Sequence, residues 1–129
     1  MDLVEFLRAR LARDEQIARA CSGIPWKAVP SGTIHTDTAH ADGGEPGFVA
    51  SAENEAYAEH IARHNPSRAL AGVAAARQII DDYEKQAWIL DQGHRTPELE
   101  AAQAARETVL RCLALAYASH PAYRDDWRP

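Results

Sequence analysis

Residues 89–99, ILDQGHRTPEL, decide the fold because they end one long helix and begin the next. Gly93 directly follows a long helical pattern, and a glycine in that place commonly ends a helix. Thr96 then precedes Pro97, and a threonine cap followed by proline at the first helical position starts a new helix. Because the connection is only four residues long, we predict an antiparallel helical hairpin over residues 66–118.

Both helices of this hairpin carry an apolar stripe with alternating spacings of three and four residues. Such a stripe is the seam along which one helix packs on another. In the first helix the stripe comprises Val73, Ala76, Ile80, Tyr83, Ala87 and Leu90. In the second it comprises Leu99, Ala102, Arg106, Val109, Leu113 and Ala116, of which only Arg106 is polar. We expect these two stripes to face each other.

A helix and a short β segment precede the hairpin. Within residues 1–22 leucines recur on one helical face from Leu3 onward, and Asp2 can cap the first turn. Residues 24–50 differ, since Pro, Gly, Thr and Asp separate three short extended stretches. The sequence VPSGT, residues 29–33, has the residue types of a tight turn between two strands. We therefore expect a small β-hairpin and a loop in this segment.

Residues 51–118 return to helical patterns, and Ser51 is the expected cap of the first of these helices. That helix should end at His64. Asn65 and Pro66 follow it, and this pair again places a capping side chain before a proline. The long helix of the hairpin therefore starts at Pro66.

The C-terminal tail, residues 119–129, contains Tyr123 and Trp127. We expect both rings to dock on the hairpin, because large aromatic side chains are mostly buried. A length of 129 residues suits one domain. The predicted fold is a single domain over residues 1–129 that is mainly α with a small β-hairpin (α+β). It has an N-terminal helix, a short antiparallel β insert, a helical hairpin and a docked C-terminal tail.

Charge patterning argues against nucleic acid as a partner. The net charge is −5, and the arginines of the first helix alternate with acidic residues. Glu15–Arg19 and Glu5–Arg8 have the spacing of ion pairs on a helix surface. A surface that binds phosphate instead needs clustered Lys and Arg.

Neither a membrane span nor a signal peptide is expected. No apolar run exceeds about eight residues, and an acidic residue follows Met1. A cytoplasmic location follows as an expectation. Cys21 and Cys112 have no metal-ligand spacing, and we expect both to be reduced and buried as inert packing residues.

Two histidines form the strongest candidate site. His60 and His64 lie four residues apart on one helix face, which is the spacing by which HExxH helices hold zinc. The reversal of the hairpin brings His120 level with the start of the long helix, and neighbouring helix axes lie about 8–10 Å apart. Three imidazoles, with Asp125 or Asp126 nearby, could then hold zinc.

The same histidines also have a purely structural explanation. His64 lies in the last turn of a helix, where positive charge complements the helix dipole. His60 can be a solvent-facing polar residue, and His120 can mark the end of a helix before Pro121. Both interpretations stay open at this point.

No established catalytic motif is present. GxSxG, Walker and dinucleotide-binding patterns are absent. The acidic residues of DGGEPG, residues 42–47, would repel phosphate and do not alternate as in a calcium loop. The leading hypothesis is a non-enzymatic interaction or regulatory protein, with a protein partner or a second copy on its alanine-rich helical face. The alternative is a zinc-binding protein, possibly hydrolytic in function, that uses His60, His64 and His120.

Three stretches resemble a known family: LVEFLRARLARDEQIARA at residues 3–20, HIARHNPSRAL at 60–70 and YASHPAYRDDWRP at 117–129. They resemble short actinobacterial proteins that share domain of unknown function 6221. The resemblance implies a fold and a bacterial lineage, and it carries no activity. The matching positions are His60, His64, His120, Tyr123 and Trp127.

Overall fold

A computed structural model describes residues 1–21, 23–38 and 45–129, and within these ranges the protein has a mainly helical α+β fold, as predicted. The helices are α1 (Leu3–Ala20), α2 (Glu55–Arg63), α3 (Pro66–Asp91) and α4 (Pro97–Ala114). The strands are β1 (Trp26–Ala28), β2 (Thr33–Thr36) and β3 (Phe48–Ser51). Short 3₁₀ turns cover Leu115–Tyr117 and Asp125–Trp127.

The described residues form two compact units, each with its own buried side chains. Residues 1–13 and 74–129 form one unit, and residues 14–73 form the other. The first unit buries Phe6, Leu7, Leu11, Ala76, Ile80, Leu90, Leu110, Ala114 and Trp127. The second is centred on Ile34, Ala58 and Ala62, with Trp26 and Val49 among the side chains packed around them.

The helix starts follow the caps that the sequence predicts. The Asp2 carboxylate accepts a hydrogen bond from the Glu5 N–H at 2.8 Å, and the Glu5 carboxylate accepts one from the Asp2 N–H at 2.9 Å. Asn65 Oδ1 accepts from the Arg68 N–H at 3.0 Å. Thr96 Oγ1 accepts from the Leu99 N–H at 3.1 Å. The expected caps at residues 2, 65 and 96 are therefore confirmed.

The β segment is a three-stranded antiparallel sheet in the order β1-β2-β3. The predicted hairpin with VPSGT at its turn is confirmed, and Gly32 adopts a φ of +86° there. The residues of DGGEPG at 42–44 lie outside the described ranges.

Two predicted helix boundaries are wrong. Ser51 does not cap α2, because it is the last residue of β3 and pairs with Thr33. Asn54 is the cap, and its side chain accepts a hydrogen bond from the Tyr57 N–H at 2.9 Å. The fourth helix was expected to reach about Ala118, but the α-helix stops at Ala114 and tightens into a 3₁₀ turn.

Helices α3 and α4 run antiparallel, as predicted. Gln103 Nε2 donates a hydrogen bond to the Tyr83 carbonyl at 3.0 Å, and Arg106 Nε donates to an Asp82 carboxylate oxygen at 3.0 Å. Arg106 lies later on α4 than Gln103, and its partner Asp82 lies earlier on α3 than Tyr83, so the two helices run in opposite directions. Gly93, with a φ of +90°, ends α3 as expected.

The α3 stripe lies inward as predicted, whereas the α4 stripe is wrong. Val73, Ala76, Ile80 and Leu90 are buried. On α4 the buried residues are Leu110 and Ala114, while Leu99 and Val109 are 39% and 44% exposed. The helix is rotated away from the predicted seam, because Gln103 bonds to the α3 backbone and Leu110 and Ala114 lie on the same side as Gln103.

The predicted burial of the cysteines is also wrong. Cys21 and Cys112 are both free and exposed. Cys21 follows the last residue of α1 and donates its thiol hydrogen to the Ile17 carbonyl at 3.7 Å between sulfur and oxygen. A helical sequence around a cysteine therefore did not indicate which side of the helix it occupies.

Replacing Gly32 with alanine should destabilise the protein by more than about 2 kcal/mol, because left-handed backbone strain of about 1–3 kcal/mol adds to a steric clash. An added Cβ would lie 2.9 Å from the Ala52 carbonyl oxygen. Urea unfolding followed by circular dichroism measures the loss. Gly23→Ala is the matched control, since Gly23 has a φ of +74° and, among the described residues, no atom lies within 4 Å of its added Cβ. Equal losses in the two variants would contradict the assigned clash.

Candidate functional site

The candidate site is a groove of about 570 Å³ between strand β1 and helix α2, within the unit of residues 14–73. The strand wall is Trp26, Lys27, Ala28, Val29 and Pro30, and the helix wall is Glu55, Glu59, Ala62, Arg63 and Asn65. Helix α2 packs mainly on β1, the edge strand of the sheet. The groove therefore follows an edge strand, with a helix as its second wall.

The hydrogen-bond register shows which main-chain groups of β1 face this groove. Val29 N–H donates to the Thr33 carbonyl at 3.0 Å, and Asp37 N–H donates to the Pro25 carbonyl. In an antiparallel pair the residues that exchange hydrogen bonds alternate along the strand. Trp26 and Ala28 therefore direct their N–H and C=O groups away from β2. Among the described strands, β2 alone pairs with β1.

Side chains of α2 line the groove at intervals of one helical turn. Glu55, Glu59 and Arg63 are spaced four residues apart, so they recur about every 6 Å along one face of the helix. All three are exposed. Within the described part of the chain, the carboxylates of Glu55 and Glu59 have neither an ion-pair partner nor a hydrogen-bond partner. The helix wall thus carries two free negative charges followed by one positive charge.

Sequence reasoning missed this groove. Its helix wall was visible as Glu55, Glu59 and Arg63 at a helical spacing. The adjoining strand edge was not visible, because the order of strands and the docking of α2 depend on contacts between distant residues. Trp26 packs beside Ile34 and also lines the groove. The sequence indicated only that it lies in a segment of short extended stretches, residues 24–50.

The structure brings two of the three predicted zinc ligands together. The rings of His60 and His64 are 4.2 Å apart between centroids and are tilted by 31°. Both side chains are exposed. His64 Nδ1 donates a hydrogen bond to the His60 carbonyl at 2.7 Å, so Nε2 is the nitrogen that can accept when the imidazole is neutral. The observed contact is a stacked pair at the end of α2.

The third predicted ligand, His120, lies in the other unit, and both of its ring nitrogens have neighbours there. Nδ1 accepts a hydrogen bond from the Ala122 N–H at 3.0 Å, and Nε2 lies against the Arg10 guanidinium. Among the described residues, no group of three or more His, Cys, Asp or Glu side chains is arranged to hold a metal ion. The zinc site of His60, His64 and His120 stays a prediction.

The two aspartates that could have assisted that site pair with arginines of the tail. Arg124 donates hydrogen bonds to both carboxylate oxygens of Asp126, at 3.0 and 2.7 Å. Arg128 lies 3.6 Å from an Asp125 carboxylate oxygen.

A comparison with protein families identifies the lineage. A family of unknown function, DUF6221, matches residues 1–129, the whole chain. The chain belongs to this family. The resemblance seen in the sequence is thereby confirmed, and its actinobacterial origin stays a prediction. Neither the curated proteins nor the solved structures that were searched gave a match. Among the described residues of this DUF6221 protein, no helix combines the length and the apolar character needed to cross a membrane.

The tail of this DUF6221 protein packs its aromatic rings around Phe6 of α1. Trp127 is 6% exposed, and its ring centroid lies 5.0 Å from that of Phe6. The ring centroids of Tyr123 and Tyr117 lie 6.0 and 6.3 Å from that of Phe6, and their planes are inclined to it by 66° and 78°. His120 lies 5.7 Å from it. Phe6 is therefore the centre of this cluster, although its place in the helical pattern did not single it out.

Tyr83 lines a second cavity of the family member, of about 430 Å³, together with Asp2, Glu107 and Arg111 among others. Burial raises the pKa of the Tyr83 phenol above its usual 10.0. The carboxylates of Glu107 and Asp2 raise this pKa further, and Arg111 opposes them. The folded state therefore favours the neutral phenol.

The stability contribution of Tyr83 should be fully present below pH 10 and should be lost as the pH rises above 10, because unfolding then releases a more easily ionised phenol. Tyr83→Phe should lose less stability than the wild type as the pH rises from about 9.5 to about 11.5, as measured by urea unfolding at each pH. Tyr57→Phe is the control, since Tyr57 is 57% exposed. An unchanged pH dependence in Tyr83→Phe would contradict the raised pKa of this half-buried phenol.

Proposed function

We propose that this protein is a cytoplasmic, non-enzymatic interaction or regulatory protein that binds an extended segment of a partner polypeptide along β1. The carrying observation is the set of outward main-chain groups of Trp26 and Ala28, which open onto the groove beside α2. The two free thiols, Cys21 and Cys112, suit a reducing cytoplasm.

An edge strand beside a helix is a recurring way to bind a peptide. The bound segment adds a strand to the sheet, and its main chain supplies affinity that does not depend on sequence. Trp26 and Ala28 offer two N–H donors and two C=O acceptors, and each hydrogen bond contributes about 0.5–1.5 kcal/mol net. Apolar side chains of the partner can also be buried against Trp26 and Val29, which contributes further binding free energy.

The charges on α2 select the sequence of the bound segment. Side chains on one face of an extended segment recur about every 6.6–6.8 Å, close to the roughly 6 Å spacing of the charges on the helix wall. A segment lying beside α2 would place Lys or Arg opposite Glu55 and Glu59, and an acidic residue opposite Arg63. The proposed ligand is therefore an extended peptide that carries basic and acidic residues on the same face.

A library of random dodecapeptides displayed on phage provides the test. We expect enrichment of linear peptides that contain two basic residues at alternate positions. Hydrogen exchange measured by NMR should show that a synthetic copy of such a peptide slows exchange of the Trp26 and Ala28 amides, because both N–H groups become donors to the peptide. Failure to enrich linear peptides, or binding that leaves these two amides unprotected, would overturn the proposal.

Removing the acidic wall should weaken the selected peptides. The double variant Glu55→Gln, Glu59→Gln should raise their Kd by roughly 2- to 30-fold, since exposed ion pairs contribute about 0.2–1 kcal/mol each. Fluorescence anisotropy of labelled peptide measures the change. Glu53→Gln is the control, because Glu53 is exposed nearby but does not line the groove. A similar increase in Kd for the double variant and for Glu53→Gln would contradict the role assigned to Glu55 and Glu59.

A further inference from the structure

Helix α4 and the 3₁₀ turn that follows it carry a seam that the chain buries only in part, since Arg106 and Leu113 are half-buried and its other four residues are exposed. Residues 99, 102, 106, 109, 113 and 116 keep spacings of three, four, three, four and three, which is the a and d pattern of a seven-residue repeat. Leu99 is 39% exposed and Val109 is 44% exposed, and Ala102 and Ala116 are exposed as well. The inward face of α4 uses Leu110 and Ala114 instead. Two apolar stripes therefore run along this segment, and the chain buries one of them more completely than the other.

The exposed stripe adjoins an open groove between α3 and α4. This groove has a volume of about 480 Å³ and is lined by Ala75, Gln78, Ile79, Asp82, Arg106 and Val109. Ile79 is 37% exposed. Asp82 and Arg106 are the charged residues among those that line this groove, and they bond to each other at 3.0 Å. The face is thus apolar, built largely of small side chains, and its two opposite charges neutralise each other.

We propose that this face is a homodimer interface, in which α4 of one copy packs antiparallel on α4 of a second copy. The inference goes beyond the proposed peptide binding, because it uses a different unit of the chain and a different surface. A two-fold interface requires a surface that is complementary to itself. The seam of α4 meets this requirement both in side-chain size and in charge.

Side-chain size is complementary in the antiparallel alignment. When the two helices cross between residues 107 and 108, Leu99 lies opposite Ala116 and Leu113 lies opposite Ala102. Every leucine of the seam then faces an alanine of the other copy. Large residues opposite small ones allow close interdigitated packing. A parallel alignment in register would instead place leucine against leucine and alanine against alanine.

Charge also favours the antiparallel alignment. It places Arg106 opposite Val109, so the aliphatic stem of the arginine can pack on the valine while its guanidinium stays bonded to Asp82 of its own chain. A parallel pair in register would bring the two copies of Arg106 face to face. Such like-charge contacts select against an alignment. Because Arg106 is already paired with Asp82, the middle of the contact brings no unpaired charge against the other copy.

Multi-angle light scattering on the full chain tests the interface. We expect the wild type to show twice the mass of one 14.2 kDa chain at concentrations of tens of micromolar. Ala102→Glu should shift the protein to the monomer mass, because it places a carboxylate against Leu113 of the other copy at two symmetric positions in the contact. The matched control is Ala101→Glu, since Ala101 is an exposed alanine of α4 that points about 100° away from the seam. It should remain dimeric.

Circular dichroism establishes that both variants keep the helical content of the wild type. A monomeric wild type, a dimer that persists in Ala102→Glu, or equal disruption by the folded Ala101→Glu control would each overturn the interface. Peptide binding along β1 is read by a different measurement, so either conclusion can fail without the other.

Cross-linking tests the orientation. In a Cys21→Ser, Cys112→Ser background, Leu99→Cys mixed with Ala116→Cys should form a disulfide-linked dimer under mild oxidation. Each cysteine variant alone should form far less, because the two copies of position 99 lie at opposite ends of an antiparallel pair. Efficient cross-linking of each variant with itself would overturn the antiparallel arrangement.

Discussion

The structure depends on the reversal of the chain at Gly93, where the backbone takes a φ of +90°. Residues with a Cβ pay about 1–2 kcal/mol in this left-handed region, whereas glycine adopts it freely. The reversal allows α4 to return along α3, which brings Gln103 to the Tyr83 carbonyl and Arg106 to Asp82. The end of the chain can then reach Phe6, around which Trp127 and its neighbours pack.

Local chemistry made much of this fold predictable. A capping side chain followed by proline begins both α3 and α4, because each signal acts within a few residues of the backbone that it caps. The errors occur where a distant contact overrides the local preference. Ser51 has the chemistry of a helix cap, but pairing with Thr33 keeps it in a strand and moves the cap to Asn54.

The ion pairs of α1 show the same division between local and distant contacts. Arg8 bonds to Asp81 and Glu84 of α3, and these two bonds raise the pKa of Arg8. It does not pair with Glu5, because the Glu5 carboxylate accepts a hydrogen bond from the Asp2 N–H. The predicted Glu15–Arg19 pair, which needs only one helix, forms at 2.8 Å.

The two candidate sites, the histidine pair and the groove along β1, differ in how much of their geometry the sequence could predict. Spacing on one helix was sufficient to place His60 beside His64. It could not show that His64 Nδ1 is used by a backbone carbonyl, or that both nitrogens of His120 have neighbours. The groove along β1 was out of reach for a different reason. A strand exposes its main chain only if it lies at the edge of a sheet, and edge position is a property of the assembled sheet. The sequence of residues 26–28 would be equally compatible with a central strand, so it did not indicate an edge.

The misassigned seam of α4 shows what a heptad pattern does and does not determine. Five of the 18 residues of α4 are alanine, so apolar positions occur on more than one face and the pattern alone cannot rank them. The stripe that is buried against the same chain contains Leu110 and Ala114. It continues into Tyr117, which belongs to the ring cluster around Phe6. The stripe from Leu99 to Ala116 has the more regular spacing but makes no such connection. A regular spacing indicates that a helix is suited to pack on another helix, and it does not say that the other helix belongs to the same molecule. A seam left open by the fold is consistent with a partner outside the chain, and its pairing of leucine with alanine under two-fold symmetry makes a second copy the simplest one.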